Sequence, residues 1–150
     1  MEPATDYLSH YIDRDKKLLY SKWLREISSD EYHEGMQKLY ELICNNGLTH
    51  WLHDISIQTQ HSQEDQKWSS EDFALMLIQS GLKYMAIVIP ENPTSKQTGE
   101  MLRDKSYRIF GKTVLIEFFD SVETATAWLL PNLQHYRIPQ LKSSDTQLDS

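Results

Sequence analysis

The run Tyr84-Met85-Ala86-Ile87-Val88-Ile89, closed by Pro90, constrains the fold more than any other stretch of the chain. It is apolar and partly β-branched with no polar alternation, the pattern of a strand covered on both faces. The run is far shorter than the ~20 residues a membrane-spanning helix needs. A strand hidden on both sides requires a layer above and a layer below, so it implies a central place in a sheet flanked by helices.

The neighbouring segments supply those layers. Ser28 begins a capping box with Glu31, Asp30 adds charge suited to a helix start, and Tyr32, Met36, Leu39 and Ile43 recur at helical spacing until Gly47. Thr49 to Ile55 reads as a strand. Ser62 and Ser69 are alternative caps for a helix that includes Phe73 to Ile78 and ends at Gly81. Asn92-Pro93-Thr94 opens a loop, Lys96 to Tyr107 is a helix interrupted by Gly99, Thr113 to Phe119 is a strand, and Val122 to Leu130 is a short last helix. At the front, residues 7–12 and 17–25 are two strands joined by the polar connection Asp13-Arg14-Asp15-Lys16. The order is β-β-α-β-α-β-α-β-α. Helical crossovers force parallel pairing, whereas the first two strands pair antiparallel through their short turn. The expected fold is therefore a single α/β domain with a mixed, mainly parallel five-stranded sheet and helices on both faces. Its expected limits are residues 7–130, after an extension of residues 1–6 and before a loosely ordered tail of residues 131–150, where Ser, Asp, Gln and Pro accumulate.

Composition narrows the functional classes. A chain of 150 residues with 39% hydrophobic and 25% charged residues is an ordinary globular protein able to bury about 70% of its unfolded surface. With no apolar leader segment, a cytoplasmic location without a membrane span is expected. The net charge of -7 disfavours nucleic acid as a partner. Charge is uneven: residues 26–82 hold ten acids and two bases, residues 96–112 five bases and two acids. Cys44 is the one cysteine, which excludes an intrachain disulfide, and its helical position suggests a small residue on or beside the core face.

The order of elements and several stretches resemble the SpoIIAA-like group of the STAS family, the sulfate-transporter and anti-sigma-factor-antagonist fold. The stretches are Ser29-Asp30-Glu31-Tyr32, Trp51-Leu52 with Asp54, Glu64-Asp65-Gln66 with Trp68, Ala86-Ile87-Val88-Ile89-Pro90, Phe119-Asp120-Ser121, and Ala127-Trp128-Leu129. The resemblance spans about residues 7–130 and implies a small cytoplasmic module that binds other proteins or, in some relatives, a lipid-like or nucleotide ligand. In anti-sigma-factor antagonists a Ser or Thr at the start of the helix after the third strand is a phosphorylation switch. Ser62 falls nearest that position, without the glycine or the preceding aspartate of the family motif.

In open parallel sheets ligands gather beyond the carboxyl ends of the strands. That rule selects Asp54, Ser56, Ser62, Trp68, Pro90 and Asp120 as candidate partner- or ligand-binding residues, with Ser62 also a candidate for phosphorylation. Aspartates after strands equally serve as turn or capping residues, and Ser62 equally caps its helix. His50 and His53, three apart on a strand, point to opposite faces and so cannot chelate one metal. No nucleophile elbow, phosphate loop or dinucleotide fingerprint occurs, so no catalytic residue and no cofactor is expected. Trp23, Trp51, Trp68 and Trp128 read as core or subunit-contact residues, and Trp68 with Phe73 and Met76 as the wall of an apolar pocket. The expected function is a non-enzymatic regulatory or protein-interaction module, with a protein partner and possible self-association. The alternative is a carrier or sensor of a lipid-like or other small apolar ligand held between the sheet and a movable helix 96–110, whose Gly99 and Pro93 permit displacement.

Overall fold

In the computed structural model, residues 6–58 and 61–132 are described. The proposed extension and tail therefore lie almost wholly outside the described residues. A hairpin opens the fold: β1 (Leu8–Asp13) and β2 (Leu18–Trp23) pair antiparallel around a turn that Asp13 closes by accepting from the Lys16 amide at 3.2 Å. Then follow α1 (Ser29–Asn46), β3 (His50–Asp54), α2 (Gln63–Trp68), a π-helical turn (Ser69–Phe73) and α3 (Ala74–Ser80). The chain continues through β4 (Tyr84–Val88), α4 (Pro93–Phe110), β5 (Leu115–Phe119) and α5 (Val122–Leu129). The sheet runs β1-β2-β3-β4-β5, with β2 to β5 mutually parallel. This is the expected α/β order.

Because each new strand is added on the same side of the last, every right-handed crossover falls on one face. The helices α1, α3 and α4 therefore share that face. Among the described helices α5, which follows the last strand, reaches the other, packing Ala125 and Leu129 on Leu52, Ala86 and Val88. The first face holds the larger core, where Trp23, Leu19 and Trp51 from the strands meet Met36, Leu39 and Ile43 from α1. In β2, Leu19 and Trp23 face this core, while Leu18 and Tyr20 pack with the α5 side.

The capping box forms as expected, Ser28 Oγ accepting from the Glu31 amide at 3.2 Å and Glu31 from the Ser28 amide at 3.0 Å. Ser62, not Ser69, caps the second helical run; Ser69 lies inside it and opens the π-helical turn. Asn92-Pro93 is a helix start rather than a loop. Asn92 caps α4 and Pro93 takes its first turn, where a missing amide proton costs nothing. Cys44 is exposed rather than on the core face, which its neighbour Ile43 occupies. Among the described residues no helix is long and apolar enough to cross a membrane.

Candidate functional site: a cavity under the fourth helix

Helix α4 covers its part of the sheet loosely. Of its 18 residues only Ser106 is buried, and Met101 and Ile109 are exposed. It is held at points. Gly99 abuts Phe118 of β5, Tyr107 Oη accepts from the Ile116 amide at 2.8 Å, and Lys105 pairs with Glu71 at 2.7 Å. Between these points the helix and the sheet bound a cavity of about 190 Å³ that is partly open to solvent. The sheet contributes Met85, Ile87, Ile116 and Phe118, α3 and the turn before it contribute Phe73 and Leu77, and α4 contributes Leu102. Apolar cavities of about 150 Å³ stay dry and accept a benzene-sized molecule. This one is of similar volume and apolar over those walls, but partly open.

The end of the cavity beside α1 is polar. His53 and Trp23 line it together with Tyr32 and His61. Ser21 of β2 holds the His53 ring and is itself held by Trp51: Trp51 Nε1–H donates to Ser21 Oγ at 2.8 Å, and Ser21 Oγ is 2.7 Å from His53 Nδ1. Burial, reinforced by nearby His61, outweighs the pull of Asp54 and lowers the His53 pKa to about 3, so the ring is neutral. Burial likewise lowers that of His61, which stacks on Tyr32 with ring centroids 4.1 Å apart. The same cause pushes Tyr32 up to about 12, against the hydrogen bond it shares with Ser69. Next to this end, burial opposes ionisation of Asp65, yet hydrogen bonds with His33 (2.8 Å) and from Ser29 (3.1 Å) prevail and hold its carboxyl below the ordinary range.

Of the six residues selected from the sequence, Pro90 lines this cavity. Asp54 is buried on the opposite face of the sheet and accepts from the Ser56 amide and hydroxyl at 3.0 and 2.7 Å, closing a turn. Ser56 is exposed, Ser62 is an exposed N-cap accepting from the Asp65 amide at 3.1 Å, and Asp120 is exposed ahead of the α5 cap Ser121. Phe73 lines the cavity as expected, but Trp68 and Met76 do not. Trp68 instead packs tilted against His33 of α1 at 4.2 Å between centroids. His50 and His53 do lie on opposite faces, His50 against Tyr84 and His53 against Trp51. The cavity sits between layers because the strand order never reverses, leaving no switch-point crevice among the parallel strands.

This hairpin-led sheet with three crossover helices on one face and a closing helix on the other is a SpoIIAA-like α/β fold. Among solved structures the chain is similar to an uncharacterized protein of the DUF3478 family with a SpoIIAA-like fold from Shewanella loihica PV-4. The likeness has a TM-score of 0.56 and 19% identity and covers 86% of this chain and 98% of that one. No protein-family model matches the sequence, and no curated protein matches it significantly.

Proposed function

We propose that the protein is a non-enzymatic carrier or sensor that holds a small apolar ligand in the cavity between its sheet and α4. The observation that carries this reading is the cavity itself, about 190 Å³ walled by Phe73, Leu77, Leu102 and Ile116 within a helix–sheet layer that proteins otherwise pack closely. An unfilled apolar space forfeits dispersion contacts, and a ligand of matching shape restores them. The few attachment points of α4 give such a ligand a way in. The test is a titration of isotope-labelled protein with ethylbenzene. Saturable shifts confined to Phe73, Leu77, Leu102 and Ile116 support the reading, and their loss in Ala74→Phe, which fills the space from α3, places the binding in the cavity. Shifts scattered over the surface, or none, refute it.

A second reading, a regulatory module that docks a protein partner around residues 54–69, draws on Ile57, an exposed apolar side chain next to exposed Ser56 in the chain. Phosphate on Ser62 would then act beside the Asp65–His33 pair. Affinity capture from the source cell with wild-type and Ile57→Asp protein tests it. A partner retained by the first and lost by the second supports docking there.

A further inference from the structure

Two buried nitrogens, on residues that line the cavity, have no partner among the described residues. His53 Nε2 and Trp23 Nε1 are both fully buried atoms without a hydrogen bond among the described residues. Their rings stand 5.5 Å apart. Ser21 is the contact that bears on which His53 nitrogen carries the proton. Its hydroxyl oxygen accepts from Trp51 Nε1–H and lies 2.7 Å from His53 Nδ1, an arrangement in which its own proton can go to that nitrogen. The proton of neutral His53 is then on Nε2, across the ring from β2. The other polar side chains around the space are largely occupied: Ser70 and Ser106 donate to the carbonyls of Lys67 and Arg103, and Arg103 pairs with Asp104 and Glu117.

Buried donors left unpaired cost free energy, and each such group in a native fold calls for an explanation. Resting on the reading of the cavity as a ligand site, we infer that its ligand is a neutral apolar molecule carrying a carbonyl-type oxygen, which accepts from His53 Nε2–H with Trp23 Nε1–H as the second donor. One such oxygen has two lone pairs. The oxygen is uncharged because, among the described residues that line the space, an anion would meet no free cation. His53 is held neutral by its burial, and the guanidinium of Arg103 is already shared between two carboxylates. The Trp51–Ser21–His53 relay sets the tautomer and so sets the specificity; Ser21 is a positioning residue.

Acetophenone, ethylbenzene and benzoate, matched in ring and differing in oxygen and charge, separate the possibilities. Wild-type protein is expected to bind acetophenone roughly fivefold more tightly than ethylbenzene, the effect of one net hydrogen bond, and benzoate most weakly. In nitrogen-detected spectra the His53 Nε2 and Trp23 Nε1 signals shift with acetophenone and stay in place with ethylbenzene. His53→Phe abolishes the preference, and Ser21→Ala weakens it while ethylbenzene affinity is kept. Should His53→Phe not fold, the wild-type ratio and the two nitrogen signals decide alone. Equal affinity for acetophenone and ethylbenzene overturns the inference and leaves the apolar carrier standing. Tightest binding of benzoate overturns the neutral oxygen. Binding of none of the three overturns both the inference and the carrier.

Discussion

Gly99 of α4 lies so close to Phe118 of β5 that a Cβ built on it would be 2.7 Å from the ring atom Cε1. The glycine is where the helix touches the sheet, in place of the loosening role its position in the sequence suggests. Gly99→Ala therefore sets two effects against each other. Alanine favours the helix by about 1 kcal/mol, while its methyl must displace the outer part of the Phe118 ring. That ring is a cavity wall and is only half-buried, so it can move. The net change in unfolding free energy is expected within about 1 kcal/mol of zero, with ethylbenzene affinity falling several-fold. Urea unfolding and the ligand titration, run on the same variant, check both halves. A large loss of stability with unchanged binding contradicts this account.

Gly35 of α1 presents the opposite case. A Cβ there would sit 2.6 Å from Cη2 and 2.8 Å from Cζ3 of Trp23. That indole is wholly buried and wedged between Tyr7, Tyr32 and His53, so it has nowhere to turn. Gly35→Ala is expected to destabilise by about 1–3 kcal/mol despite the better helix former. Denaturant midpoints of the two glycine variants, measured side by side, should differ in this order.

The contrast between these glycines shows which parts of the molecule the chain of residues made legible. The central strand and α1 could be read because their signals are local: an unbroken apolar run, a capping box, and helical spacing from Tyr32 to Ile43 ended by Gly47 in the left-handed conformation. The Asn92 cap with Pro93 behind it is an equally local signal for α4, but the polar residues that follow disguised it as a loop. The cavity was not legible as a volume. Its height depends on Gly99 meeting Phe118, nineteen positions away, and on Glu71 meeting Lys105, contacts that no window of sequence contains. The sequence did point to a ligand between the sheet and this helix, through Met101, Leu102, Ile109 and Phe110. Of these only Leu102 lines the space. The polar end was hidden for a related reason, since Ser21, Trp51 and His53 meet only once β2 and β3 are in register.

Ser62 supplies a prediction that separates capping from signalling. Its hydroxyl accepts from the Asp65 amide and so fixes the first turn of α2, the same residue whose carboxylate anchors Ser29 and His33 of α1. Ser62→Ala should lower stability by about 1 kcal/mol, and Ser62→Asp, which retains a capping oxygen, by much less. Thermal unfolding monitored by circular dichroism distinguishes them. Equal loss in both variants would show that the cap contributes little.

Acid should unfold this protein earlier than a typical carboxylate-driven transition, and His53 is the reason. Its pKa is lowered from 6.5 to about 3 in the folded state by burial, and His61 is shifted the same way. Between those two values the unfolded chain binds the proton and the native chain does not. Stability is therefore fully present above the unfolded value and drains away as pH falls below it, by up to about 1.4 kcal/mol per pH unit for a single such histidine. The depressed carboxyls of Asp65 and Glu31 add losses of the same sign only further down, below the ordinary carboxylate range. Urea unfolding of the wild type is expected to show a falling midpoint already between pH about 6 and about 5. In His53→Phe, which has no proton to take up at this position, the slope over that interval should be shallower, with the remainder due to His61. A wild-type midpoint that stays level until the carboxylates titrate would mean that His53 can be protonated without opening the fold.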